Sequence, residues 1–226
     1  MIPAKECGII WDVDGTLVDT KEIHFQAWVA LAKELNKPLS RQWFESTFGR
    51  RNPDIIPLIF GKELTEGGVA ELGARKEELY RALARSGVEL LPGARSLLEA
   101  IRIAGIPQAI GSSAPRANVD LIIQLTGTAH FFKAIVSMED TQRGKPDPQV
   151  FQIAAKRLGL PSNRCVVVED AVAGIQAATN GGMKSIAVRG AGHHPADAFY
   201  RAGAGLVVEA LDEVSVPAIQ RLVDCG

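Results

Sequence analysis

Short apolar runs that alternate with helix-length segments limit the fold this chain can adopt. Ile9-Ile10-Trp11 and Val166-Val167-Val168 are apolar at every position, and Ile106–Gly111, Ala134–Met138, Ser185–Val188 and Leu206–Val208 are further short strand candidates. A strand with one face in water alternates apolar and polar side chains, whereas a strand that is apolar throughout is buried on both faces. The intervening segments read as helices. Pro92-Gly93 introduces one that runs to Ala104 and stops at Gly105, and Ser112-Ser113-Ala114-Pro115 opens another through Leu125. Asp147–Leu158 and Ala171–Asn180 follow, ended by Gly159 and by Gly181-Gly182. This alternation predicts an α/β core, a Rossmann-like doubly wound parallel sheet that includes a first strand at residues 7–12.

Residues 17 to 90 break the rhythm. Apolar positions recur there at helical spacing, at Ile23, Ala27, Leu31 and Leu35 and again from Val69 to Leu83, with no parallel strand. The expected organisation is a core segment at 1–17, a helical cap at 18–90 and the remaining core at 91–226. An insertion that leaves the sheet directly after its first strand lies above the strand ends, where it can act as a lid.

With 226 residues and 46% apolar side chains the chain can bury a sizeable core, and a formal net charge of -1 offers no basic surface for nucleic acid or membrane. No apolar run approaches the ~18 residues needed to span a bilayer. Met1–Glu6 lacks the apolar segment of a signal peptide. Cys7, Cys165 and Cys225 are scattered and form no Cys-x-x-Cys pair, which fits reduced thiols. These features predict a cytoplasmic monomer whose partner is a small molecule.

Four groups of chemically able residues fall at the carboxyl ends of predicted strands, where open α/β sheets place their ligands. Asp12 and Asp14 stand at the carboxyl end of the first strand, where i, i+2 strand spacing sends both to one face; Gly15 then lets the backbone turn. Ser112 and Ser113 end the second strand, Lys145 lies in Arg143-Gly144-Lys145-Pro146, and Glu169-Asp170 follows Val166–Val168. Parallel strands of one sheet bring all four groups to one edge. At ~4 Å a pair of like charges repels by roughly 1 kcal/mol in water and about 4 kcal/mol at the effective dielectric near a protein surface. Lys145 alone cannot offset Asp12, Asp14, Glu169 and Asp170, but a divalent cation can. All-oxygen ligands favour a hard ion, and Mg²⁺ suits a site shared with waters and a phosphate. Ser112 and the backbone N–H groups at the next helix start suit an anion such as phosphate.

Asp12-Val13-Asp14-Gly15-Thr16, then Ser112, then Lys145-Pro146, then Glu169-Asp170 resembles the ordered motifs of the haloacid dehalogenase superfamily, in particular its phosphoryl-transfer members with a small helical cap. The resemblance spans nearly the whole chain. It implies an aspartyl-phosphate mechanism, with Asp12 as nucleophile and Asp14 as general acid and then general base. Ser112 and Lys145 would hold the phosphoryl oxygens. Mg²⁺ would be bound by Asp12, the Asp14 backbone carbonyl and Asp170, with Glu169 supporting. A carboxylate nucleophile divides the transfer into two easier steps, and a cation with a lysine neutralises the transferring group.

Within that superfamily the chain is similar to the β-phosphoglucomutase and sugar-phosphatase branch. Asp19–Trp28 resembles the mutase sequence that leads into the cap, with Thr20 as hinge and His24, and Lys76 falls where the mutases have a cap lysine. Asn52 stands where they carry a phosphate-gripping arginine, with Arg50 or Arg51 as alternatives. Ser113 and Arg116 complete the substrate-binding set. Gly15-Thr16-Leu17 is the form widespread among phosphatases, where mutases place a branched apolar residue after the glycine. The resemblance therefore implies a Mg²⁺-dependent phosphomonoester hydrolase acting on a small phosphorylated metabolite, a sugar phosphate first, with a phosphosugar mutase as the alternative. Several of these residues also have plain structural readings. Ser112 can cap a helix, Glu169 can face a helix dipole, and His24 can pack on Trp28. Lys76 reads as a solvated helix residue, as do Lys33, Lys37 and the charges of Arg75–Arg85. His193-His194 reads as a surface loop, and Gly190/Gly192 lacks the third glycine of a dinucleotide fingerprint.

Overall fold

The computed structural model describes residues 7–47, 51–190 and 194–224. In chain order, β1 (Gly8–Trp11) precedes α1 (Lys21–Glu34), α2 (Arg41–Thr47), α3 (Asn52–Phe60) and α4 (Glu66–Ala84). Next come α5 (Ala94–Ile103), β2 (Gln108–Gly111), α6 (Arg116–Leu125), β3 (Phe132–Val136) and α7 (Gln149–Leu158). The described chain ends with β4 (Cys165–Glu169), α8 (Val172–Asn180), β5 (Lys184–Val188), α9 (Ala196–Ala202), β6 (Leu206–Val208) and α10 (Val216–Asp224). It forms two compact units: Met1–Asp19 with Glu89–Gly226, and Thr20–Val88.

The first unit is the predicted α/β core. Its sheet has six parallel strands in the order β3-β2-β1-β4-β5-β6. Alternation along β1 and β4 explains why both strands are apolar throughout. Ile9, Trp11, Val166 and Val168 face a layer that includes Leu97, Leu98 and Ile101 of α5 and Ile219 of α10. Ile10 and Val167 point the other way, onto Phe151, Ala154 and Leu158 of α7. Each such side chain contributes about 1.5–3 kcal/mol when fully buried, and a one-residue slip would exchange the two faces, so the register is strongly specified. From β1 the order runs outward through β2 to β3 on one side and through β4 and β5 to β6 on the other. The carboxyl ends of β1 and β4 therefore flank the topological switch point.

Two local expectations are corrected. The strand expected at Ala134–Met138 is β3, Phe132–Val136, and Met138 instead begins a 3₁₀ turn, Met138–Asp140. Asp140 accounts for that turn, since its Oδ2 accepts the Ser137 N–H at 2.9 Å and the Ser137 hydroxyl at 3.2 Å. Likewise β1 ends at Trp11, so strand alternation does not govern Asp14; that residue forms an isolated bridge with Val18.

The second unit is helical. Trp28, Leu31, Ala32, Phe44, Ile55, Ile56 and Phe60 make its core. The apolar stripe of α1 turns out to be Ala27, Trp28, Leu31 and Ala32, because the helix stops at Glu34 and leaves Leu35 exposed as its C-terminal cap. On α4 the buried positions are Gly73, Lys76, Glu77, Tyr80 and Ala84, a helical i, i+3, i+4, i+7 face that includes two charged residues. Among the described residues, no helix is long and apolar enough to cross a membrane.

Candidate active site

Asp12 is the first residue beyond β1, and its N–H donates to the Val168 carbonyl of β4 at 3.0 Å. That bond fixes its carboxylate beside the end of β4. Lys145 reaches the same place from the loop ahead of α7. Its Nζ donates to Asp12 Oδ1 at 2.6 Å and to Glu169 Oε1 at 2.7 Å, and it lies 4.8 Å from the Phe151 ring centre. The other Glu169 oxygen, Oε2, accepts the Ala171 N–H at 2.6 Å. Asp170 comes next, its Oδ1 accepting the Thr16 hydroxyl at 3.3 Å.

Two glycines make room for these acids. A Cβ on Gly174 would lie 1.8 Å from Glu169 Oε1, and one on Gly15 would lie 2.1 Å from Asp170 Oδ2. Gly15 also has a φ of 87°, which side chains with a Cβ rarely adopt.

The charges do not balance within the protein. One oxygen each from Asp12, Glu169 and Asp170 lies within 4.8 Å of the others, and Lys145 pairs with two of them, Asp12 and Glu169. Burial, reinforced by the Glu169 and Asp14 charges, pushes Asp12 up to about 7 even though Lys145 opposes it. Burial together with Glu169 and Asp12 raises Asp170 well above the usual carboxylate range. Burial acts to lower Lys145, but Asp12 and Glu169 outweigh it and hold the ammonium above its ordinary value. Three carboxylates against one ammonium leave two negative charges in excess, which a divalent cation would balance. The all-oxygen donor set suits a hard ion such as Mg²⁺.

The other expected residues of this unit lie around the same sheet edge. Asp14 is half-buried, and its carboxylate is not one of the three clustered oxygens, although its charge acts on Asp12. Trp11 pairs with Ile110 across β1 and β2, so Ser112 leaves the carboxyl end of β2 next to the strand end from which Asp12 emerges. Ser112 is buried; its N–H donates to the Val136 carbonyl and its hydroxyl accepts the Ala114 N–H, both at 3.0 Å. Ser113 is half-buried. Arg116 begins α6, and its guanidinium pairs with Asp120 at 2.8 Å on the exposed helix face.

In the helical unit, Thr20 is buried at the start of α1, and its carbonyl accepts the His24 N–H at 2.9 Å. His24 stacks on Tyr80 with ring centres 4.2 Å apart, and its Nδ1 lies 2.7 Å from Lys76 Nζ. Lys76 is 2% exposed, which corrects its reading as a solvated residue, and Glu77 is buried with it. The neighbouring Arg75 does lie in solvent, paired with Glu34 and Glu78. Asn52 Nδ2 donates to Glu77 Oε1 at 2.7 Å. Arg50 and His193 lie outside the described residues. Thr16, Gly174 and Glu77 are absent from the sequence-based set. Of these, Glu77 was traceable through its helical spacing from Gly73, Tyr80 and Ala84.

Residues 9–188 match the family profile described as haloacid dehalogenase-like hydrolase. The chain belongs to that family. Among haloacid dehalogenase-like relatives, it is 33% identical over 220 residues to the chloroplastic 5-amino-6-(5-phospho-D-ribitylamino)uracil phosphatase of Arabidopsis thaliana. That match covers 96% of this chain but 58% of the relative, so the chain spans less than two thirds of the relative's length. It is also 33% identical over 213 residues to a beta-phosphoglucomutase of Bacillus subtilis, covering 91% of this chain and 93% of the mutase. The crystal structure of a family IA, variant 3 hydrolase from Entamoeba histolytica superposes with a TM-score of 0.88 at 29% identity, covering 96% of this chain and 99% of that one. The family and fold implied by the four sequence motifs are thus those of the molecule.

Proposed function

We propose that the chain is a Mg²⁺-dependent phosphomonoester hydrolase acting on a small phosphorylated metabolite, a sugar or polyol phosphate, through a phosphorylated Asp12. The observation that carries this reading is the Lys145 ammonium set between Asp12 and Glu169 at 2.6 and 2.7 Å, with Asp170 alongside. Held by Asp12, Asp170 and the Asp14 backbone carbonyl, with Glu169 supporting, Mg²⁺ would neutralise charge on the phosphoryl oxygens and keep Asp12 ionised. An Asp12 oxygen attacks phosphorus as the ester P–O bond breaks, and Asp14 gives its proton to the departing alkoxide. Asp14 then takes a proton from water, whose oxygen forms the new P–O bond while the Asp12–phosphorus bond breaks. Lys145 and Ser112 hold the phosphoryl oxygens through both steps, the electrostatic contribution that is usually the largest in such transfers. His24, Asn52, Lys76 and Ser113 are the proposed substrate-recognition residues.

Likeness to the Arabidopsis phosphatase, whose name gives 5-amino-6-(5-phospho-D-ribitylamino)uracil as its substrate, supports hydrolysis. Likeness to the Bacillus mutase supports a second reading, transfer between positions of one sugar. A panel of phosphorylated metabolites with Mg²⁺, scored for both released phosphate and isomerised product, separates the two. Hydrolysis predicts phosphate release that Asp12→Asn abolishes. Isomerisation primed by a sugar bisphosphate, with no net phosphate release, would replace that reading with the mutase.

A further inference from the structure

Lys145 stands in a stretch with neither helix nor strand, residues 141–148. Such connecting segments are ordinarily the more mobile parts of a fold. A lysine side chain has a long, rotatable stem, so a placement good to about 0.5 Å also needs its backbone held.

Two side chains outside the sequence motifs hold that backbone, one on each side of Lys145. Gln149, the first residue of α7, turns its Oε1 back onto the loop. There it accepts the Gln142 N–H at 2.7 Å and the Arg143 N–H at 3.1 Å. On the far side, Asn180 at the end of α8 donates its Nδ2 to the Pro146 carbonyl at 3.1 Å. Both helices are firmly seated. Val150, Phe151 and Ala154 of α7 are buried, as are Ile175, Ala177 and Ala178 of α8, and both helices belong to the core unit.

The other contacts in the loop are weaker candidates for this role. Asp147 Oδ1 accepts the Gln149 N–H at 3.0 Å, and its Oδ2 lies 2.9 Å from Arg143 Nε. The Arg143 side chain is 71% exposed, and an ion pair in water contributes little. Gln149 is different, because one acceptor takes two successive main-chain N–H groups, and an apolar side chain of its length would release both at once. A plain solvated residue in the first turn of α7 would make neither bond.

We propose that Gln149 and Asn180 are positioning residues that hold the main chain on either side of Lys145, so that its ammonium is presented to Asp12 and Glu169 in one geometry. This rests on the phosphomonoesterase reading. Neither residue is assigned a contact with the reacting atoms; both act through Lys145.

The test joins amide hydrogen exchange to kinetics. Gln149→Met keeps the length and helix propensity of the side chain but removes the acceptor, whereas Gln149→Glu keeps the acceptor. In Gln149→Met the Gln142 and Arg143 amides should exchange about tenfold faster or more. With p-nitrophenyl phosphate and Mg²⁺, kcat should fall about tenfold or more while KM changes by less than about twofold. Gln149→Glu should restore both the protection and kcat. Asn180→Ala should lower kcat in the same way while leaving the Gln142 and Arg143 amides protected. A purely structural role for position 149 would lower the melting temperature without separating kcat from KM. Unchanged exchange at Gln142 and Arg143 in Gln149→Met overturns the tether. Faster exchange with wild-type kcat overturns the positioning role. A wild-type protein that releases phosphate from no monoester overturns the phosphomonoesterase reading itself, and the exchange arm tells that failure apart from failure of the tether.

Discussion

Replacing Gly174 with alanine would put a Cβ 1.8 Å from Glu169 Oε1 and 2.1 Å from its Cδ, far inside van der Waals contact. The carboxylate has to swing away, and it then loses the Lys145 ammonium at 2.7 Å and the Ala171 N–H at 2.6 Å. A hydrogen bond involving a charged group contributes about 1.5–3 kcal/mol. Working the other way, alanine in place of glycine inside a helix such as α8 gains about 1 kcal/mol. The balance is a net loss of roughly 2 kcal/mol or more for Gly174→Ala. Lys145, no longer held from the Glu169 side, would recentre on Asp12 and leave the place proposed for it at the phosphoryl oxygens. We expect kcat for phosphate release to fall about tenfold to a hundredfold, with a smaller change in KM. Initial rates with Mg²⁺ and a thermal melt in the same buffer check both halves. Wild-type kcat together with an equal or higher melting temperature would refute the claim that Glu169 positions Lys145.

Proton and cation should compete at the same oxygens. Asp12 rises from 3.8 to about 7, and Asp170 shifts in the same direction. A carboxylate raised on folding contributes stability that is complete below its unfolded pKa and is lost as pH climbs through the folded one. Without divalent cation the melting temperature should therefore decline between roughly pH 4 and pH 8, and Mg²⁺ should raise it more near pH 8 than near pH 5. A Mg²⁺ shift of equal size at both pH values would count against the cluster as its binding site. Lys145→Met strips the counter-charge from three carboxylates, which should cost about 3–5 kcal/mol of stability at neutral pH and about a hundredfold or more in kcat. An unchanged denaturation midpoint would show that the ammonium does not offset those acids.

What could be read from sequence follows from what is local. Ile9–Trp11 and Val166–Val168 were legible as strands because both faces are buried, and the acids just beyond them were legible because the pattern changes abruptly from apolar to charged. Strand alternation does not reach Asp14, because a four-residue strand, Gly8–Trp11, is too short for its period of two to extend past its end. Lys76 and Glu77 looked solvated because Arg75, Glu78 and Arg81 surround them in sequence. Their partners, His24 and Asn52, lie on other helices, and no local pattern reports such long-range pairing. The helices at Ala196–Ala202 and Val216–Asp224 are short and carry weak sequence signals, although Val216, Ile219 and Val223 keep helical spacing. Gly174 has no signature of its own, since its role is visible only once the Glu169 side chain is placed above it.

The central claim is that Asp12 itself takes the phosphoryl group. Acid quench during turnover of a hexose monophosphate, followed by mass spectrometry of the peptide that carries Asp12, tests it most directly. The account predicts a phosphorylated Asp12 in the wild-type protein, and neither the modification nor turnover in Asp12→Asn. Phosphate release with an unmodified Asp12 peptide, or turnover that persists in Asp12→Asn, would contradict it.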